Sequence, residues 1–164
     1  MLFVALGGGV VLLIGLGFVV NAWSPRFLLN VTPSEPRGLY LLSRNPVAIG
    51  AIVAIPAPAV AAAAEGGPVT SVLKAVAAGG GDLVCIRSGR LAINGRDRAP
   101  VLDRTAKGAL LPHWSGCRRL TPGELFLFSD RVPNSFDSRY FGPVRRSEVI
   151  GVYRPLWTEA PVPN

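Results

Sequence analysis

The sequence predicts an all-β domain carried behind one N-terminal transmembrane helix. Three observations predict it. Met1 to Val20 is uncharged, and as a helix its 20 residues would span ~30 Å, about the hydrocarbon thickness of a bilayer. Downstream, short runs rich in Val, Ile, Leu and Phe are separated by Pro, Gly and Asn, the pattern of strands and turns. Among them Asp82 to Arg87, the Ser88-Gly89 turn, and Arg90 to Asn94 with Gly95 read as a hairpin. No internal repeat appears, and 164 residues suffice for one domain with a core plus an anchor. The boundary falls between an anchor over 1–22 and a β-rich domain over 23–164.

In chain order, Trp23 follows the apolar run at interface depth. A cleaved signal peptide, with Val20-Asn21-Ala22 as the cut, competes with a retained anchor. The run is longer than an ordinary signal core and has no Lys or Arg before it, which favours the anchor. Arg26 and Arg37 follow it, so the charge rule alone would place the domain in the cytoplasm. Leu39 to Leu42 and Ile49 to Ile55 read as strands, parted by Arg44-Asn45-Pro46. Pro56 to Pro68 reads as a loop with one helical turn at Ala59 to Glu65. Val69 to Ala78 reads as a buried strand carrying one lysine. Arg96 to Gly116 is polar and irregular, Glu124 to Ser129 is a strand, Asn134 to Val144 is a loop or strand, and Val149 to Pro155 closes the domain.

The composition excludes several function classes. Net charge is +7, from 15 Arg and 2 Lys against 10 acids, but the arginines are scattered from Arg26 to Arg154. A nucleic-acid footprint would be a patch or stripe, so nucleic acid is not expected, and anionic lipid headgroups fit the basic surface at least as well. The lone histidine, His113, lies in a turn-like stretch with no acid beside it and reads as a surface residue, not a triad base. One His and two Cys are too few for a zinc site of the usual kind, and no phosphate-binding glycine loop occurs, so neither metal nor cofactor is expected.

Three stretches carry chemistry. Asn30 to Tyr40 holds Ser34 between Pro33 and Pro36, which fix φ and disfavour helix before them. A hydroxyl held still on such a turn suits a nucleophile, and an ordinary loop would look much the same. Lys74 lies among Val72, Leu73, Val76 and Ala77. Burial would penalise its ammonium form and make it a candidate base; an edge lysine facing solvent is the alternative. In Asn134 to Val144, Asp137 and Arg139 are spaced to share one face of a strand, where they would pair, catalytically or structurally.

Together these segments resemble the S26 signal peptidases, membrane-anchored serine proteases with a Ser/Lys dyad. Ser34-Glu-Pro-Arg-Gly-Leu-Tyr matches the serine box S-x-P-x-G-x-Y of the conjugative-transfer (TraF-type) branch. Lys74 followed by Gly81-Asp82 matches the spacing of the lysine box K-R-x-x-x-x-P-G-D, and Asp137-Ser-Arg-Tyr-Phe-Gly matches D-S-R-Y-F/W-G. Ile93-Asn94-Gly95 and Pro155-Leu156-Trp157 are similar to that branch as well. The resemblance covers nearly the whole chain. Ala75 and Gly80 depart from the Arg and Pro of the lysine box, and Ala51 stands where a Gly-Asp pair is common. The missing Arg removes a possible partner for Asp130, and Gly79 to Gly81 should loosen the strand end.

The resemblance implies Ser34 as nucleophile, Lys74 as general base, Asp137 as support for the lysine, and an oxyanion hole from the Ser34 N–H and the Thr32 hydroxyl. Arg139 and Asp130 would be structural supports. It implies a single-pass protein of the bacterial inner membrane with a periplasmic catalytic domain. The implied substrates are exported precursors, pilin-like subunits of a conjugation or type IV secretion apparatus. Two cysteines in an exported domain usually pair, so a Cys85–Cys117 disulfide is expected. A repressor-type Ser/Lys autoprotease would need a DNA-binding domain that residues 1–30 do not offer. A non-catalytic anchored scaffold remains as the alternative.

Overall fold

The structure is a computed structural model that describes residues 24–57, 70–105 and 108–159. The anchor expected over 1–22, the helical turn expected at Ala59 to Glu65, and Lys107 all lie outside the described residues. Among the described residues no helix is long and apolar enough to cross a membrane.

The described chain is β-rich, with every strand pair antiparallel. In order the strands are β1 (Phe27–Asn30), β2 (Gly38–Ser43), β3 (Ile52–Pro56), β4 (Ser71–Gly79), β5 (Leu83–Arg87), β6 (Arg90–Ile93), β7 (Arg96–Pro100), β8 (Gly116–Arg119), β9 (Glu124–Leu127), β10 (Val144–Arg145) and β11 (Gly151–Thr158). One helical turn, α1 (Ser138–Phe141), precedes β10. A seven-stranded sheet runs β1-β2-β11-β3-β4-β9-β10, and a four-stranded sheet runs β7-β6-β5-β8. The chain closes by laying β11 between β2 and β3. This placement requires Gly38, since a Cβ there would lie 2.2 Å from the Trp157 carbonyl oxygen, and its φ is +144°.

The hairpin expected at Ser88-Gly89 is present. Both residues have positive φ, the requirement of the turn whose twist matches two paired strands. The same device recurs at Asn94-Gly95, also both positive, and turns β6 into β7. The stretch after Arg96 is therefore not irregular at its start. Asn-Gly is itself a strong hairpin signal, but the charges of Arg96, Asp97 and Arg98 hid a strand with only Ala99 buried. Beside it Cys85 and Cys117 face each other across β5 and β8 and form the expected disulfide.

Two further expectations are corrected. Ile49 and Gly50 are not strand; Ile49 is exposed, Gly50 has positive φ, and β3 begins at Ile52. Asp137 and Arg139 lie on no strand: Asp137 caps the N-terminus of α1, accepting the Arg139 N–H, and Arg139 is inside the turn. The triglycine end of β4 is tied down, with Gly79 N–H on the Asp82 carboxylate at 2.8 Å and no room for a Cβ at Gly80 beside Pro122.

Apolar clusters lie on both faces of the large sheet. One joins it to the small sheet through Ala78, Val84, Leu91, Phe126 and Phe128. Another gathers Val53, Ile55, Val76, Leu127 and Val152. Lys74 pairs in register with Val53 and shares its strand face with Val72 and Val76. It is carried into the interior, 5% exposed, and not out to solvent.

Candidate active site

The serine turn spans the connection between β1 and β2, and Asn30 at the end of β1 organises it. The Asn30 amide donates to the carbonyls of Thr32 (3.0 Å), Glu35 (2.9 Å) and Pro36 (3.1 Å). Its Oδ1 accepts the Thr32 N–H at 3.2 Å and the Thr32 hydroxyl at 3.0 Å. The Tyr40 hydroxyl donates to the Pro36 carbonyl at 2.7 Å from the far side, and burial first, then the Glu35 charge, pushes its pKa up to about 12. Two prolines leave this segment few backbone donors, so side chains do the fixing.

Ser34 is 4% exposed, and Lys74 reaches it across the sheet. The Lys74 Nζ lies 2.5 Å from Ser34 Oγ and 3.4 Å from Ser135 Oγ. Thr32 Oγ1 is 3.3 Å from Ser34 Oγ, with its own hydrogen committed to Asn30. The Ser34 carbonyl accepts a short hydrogen bond from the Ser129 hydroxyl, just past the end of β9.

Asp137 and Arg139 are fully buried and pair through both carboxylate oxygens, at 2.8 Å to Nε and 3.0 Å to Nη2. The remaining guanidinium hydrogens go to the carbonyls of Pro100, Pro133 and Ser135, and the plane lies over the Phe128 and Tyr140 rings. Asp137 Oδ2 also accepts the Ser129 N–H at 3.4 Å. The ion pair thus holds both Ser129, which grips Ser34, and Ser135, which lies beside Lys74. Among the described residues no buried side-chain polar atom lacks a partner. Asp130 stands outside this network at the surface, 3.5 Å from Arg98.

Of the residues that the sequence singles out, Ser34, Thr32, Lys74, Asp137 and Arg139 converge and Asp130 does not. Asn30, Glu35, Ser129 and Ser135 join them although the motifs give them no role. Ser135 carried a signal, two residues before Asp137 in the same motif; a lone Ser or Asn in a loop otherwise signals nothing. Glu35 is buried although a carboxylate between prolines reads as solvated. Burial holds its pKa above the ordinary value, while the Ala75 N–H, Lys74 and Arg131 pull it down and Asp130 adds to the rise. His113 lies at the surface, 3.1 Å from Asp103, beside a cavity of about 690 Å³ whose lining includes none of the dyad's residues. Among the described residues no cluster of His, Cys, Asp and Glu could hold a metal.

Comparison with known proteins agrees with the boxes. The family described as signal peptidase, peptidase S26, matches residues 2–157. A plasmid transfer protein TraF of Escherichia coli is 36% identical over 172 residues, covering 95% of this chain and 94% of its own. A conjugal transfer protein TraF of Agrobacterium tumefaciens (strain 15955) is 37% identical over 152 residues, covering 82% and 84%. A solved signal peptidase I from Enterococcus faecalis V583 shares 25% identity over 67% of this chain and 98% of its own, at a TM-score of 0.41.

Proposed function

The chain belongs to the S26 signal peptidase family, and we propose that it is a serine endopeptidase that cuts exported precursor proteins with Ser34 and Lys74. One observation carries the proposal: Lys74 Nζ and Ser34 Oγ, forty residues apart, meet at 2.5 Å with both side chains buried. A nucleophile within hydrogen-bond reach of a base is the geometric requirement of covalent acyl transfer.

In this mechanism neutral Lys74 takes the Ser34 proton as Oγ attacks the scissile carbonyl carbon. The Ser34 N–H and the Thr32 hydroxyl, rotated away from Asn30, stabilise the oxyanion. The Lys74 ammonium protonates the departing amine, leaving an ester on Ser34. Lys74 then activates water, which releases the new carboxyl terminus and restores the serine. Ser135 fixes the lysine amine, and Asp137, Arg139 and Ser129 hold the framework as positioning residues. Burial favours the neutral amine because it penalises the charged form.

The relatives' names, plasmid transfer and conjugal transfer, support a precursor of a conjugation or type IV secretion apparatus as substrate, a pilin-like subunit above all. A retained anchor over 1–22 would place the domain at the inner membrane. The Cys85–Cys117 disulfide supports the periplasmic side over the side that the charge rule favours. The test is the turnover of a co-expressed pilin precursor. Wild type should convert it and Ser34→Ala should leave it uncut; conversion unchanged by Ser34→Ala would reject the proposal, and no conversion by either would favour a scaffold.

A further inference from the structure

Glu35 stands beside the nucleophile and takes no part in the steps above. It is 5% exposed. Its Oε1 accepts the Ala75 N–H at 2.9 Å. That N–H lies where the sheet has a gap. The Phe128 N–H still bonds the Ala75 carbonyl at 3.1 Å, but β9 ends at Leu127 and the chain turns away. The carboxylate takes the place of the next ladder acceptor. Two neighbouring links then join the same two segments, Lys74 to Ser34 and Ala75 to Glu35.

We propose that Glu35 is a positioning residue that also sets the charge of the dyad: it locks β4 onto the serine turn and stabilises Lys74 as an ammonium, so that it fixes the pH at which the neutral amine becomes available. The inference rests on reading Ser34 and Lys74 as nucleophile and base. Glu35 and Lys74 interact electrostatically. The other charged and titratable groups around Glu35 are Tyr40 on β2 and Asp130 and Arg131 beyond β9, with the Asp137–Arg139 pair reaching the same turn through Ser129. Arginine stays cationic, and Tyr40 ionises only at about 12. The Lys74 charge draws Glu35 toward the carboxylate against the burial that raises its pKa, so the two groups favour each other's ionised form. The arrangement opposes the desolvation of Lys74: the burial that frees the amine is partly offset by the anion beside it.

The chain has only two lysines, Lys74 and Lys107, so a full-length protein labelled with lysine carrying carbon-13 at Cε and held in detergent gives two titrating signals, and Lys107→Arg assigns them. Glu35→Gln keeps an oxygen for the Ala75 N–H and removes the charge. It should lower the Lys74 midpoint by about one pH unit, and the rising limb of cleavage against pH should move with it. In wild type the Lys74 signal should also show a smaller step in the acid range as Glu35 takes up its proton, which requires no variant to fold. An unmoved Lys74 midpoint in folded Glu35→Gln, or no acid step in wild type, overturns the inference. The midpoint is read without substrate. A shifted midpoint with no Ser34-dependent cleavage would leave the assignment of Glu35 standing and sink the peptidase reading; cleavage without a shift would do the reverse.

Discussion

Replacing Arg139 with Met should be among the most damaging single changes in the domain. The Arg139 guanidinium is fully buried and makes two bonds to Asp137 and three to backbone carbonyls. Met fills similar space but leaves the Asp137 carboxylate buried without its cation, and breaking a buried pair in this way costs about 3–5 kcal/mol. The three carbonyls lose a donor as well, each worth about 1 kcal/mol or more where water cannot replace it. A loss of roughly 6–8 kcal/mol is expected, a large share of the 5–15 kcal/mol typical of a folded domain. Asp137→Asn keeps an acceptor for the guanidinium and should cost less. The double variant should be less destabilised than the sum of the singles by about 1–3 kcal/mol, since the orphaned anion no longer exists. Trp114, whose indole N–H bonds the Ser138 carbonyl in α1 at 3.1 Å, reports the unfolding by fluorescence in a urea titration. Arg139→Met within about 1 kcal/mol of wild type, or strictly additive singles, would refute the reasoning.

Other outcomes follow from the same geometry. Thr32→Val keeps the shape but removes the second oxyanion donor; cleavage rate should fall by roughly a hundredfold or more, while Thr32→Ser should retain most of it. Tyr40→Phe removes the buried bond to Pro36 and should cost about 1 kcal/mol of stability by denaturant titration. Reducing the Cys85–Cys117 bond, or replacing both residues with Ser, should cost roughly 3–4 kcal/mol in the chain-entropy model, read as a lower thermal midpoint. Glu35 also gives stability a pH dependence. Its folded-state pKa is raised, so the folded chain binds that proton more tightly than the unfolded one. The stabilisation from protonated Glu35 is complete below the ordinary glutamate value and lost as pH rises through the raised one. Glu35→Gln should therefore gain stability relative to wild type on going from acid to neutral pH; a gain in the opposite direction would contradict the burial argument.

Much of this site was legible because chemistry and constraint coincide in short motifs. Ser34 lies between two prolines, Lys74 is the one polar long chain in an apolar strand, and Asp137 precedes Arg139 by two residues. Short apolar runs bounded by Pro, Gly and Asn placed β2, β3, β4, β5, β6, β9 and β11 to within a few residues. β1 escaped because Leu29 and Phe27 face outward, so no alternation marks it as a strand. The loop or strand expected around Asp137 is a helical turn instead because an aspartate can cap the N–H groups that follow it, and four residues are too few for any period to appear. Asn30, Ser129 and Ser135 act through single hydrogen bonds between segments remote in sequence, and that pairing has no periodic or compositional signature.

The central claim is that Lys74, once neutral, takes the proton of Ser34. The direct test is cleavage of the precursor by the full-length chain carrying Lys74→Arg, measured across pH beside wild type. Arginine keeps the positive charge but does not deprotonate. The account predicts wild-type cleavage that rises with pH as the amine becomes neutral, and no cleavage by Lys74→Arg at any pH, with the urea midpoint near that of wild type. Cleavage by Lys74→Arg at a rate comparable to wild type would contradict it and return the search for a base to His113.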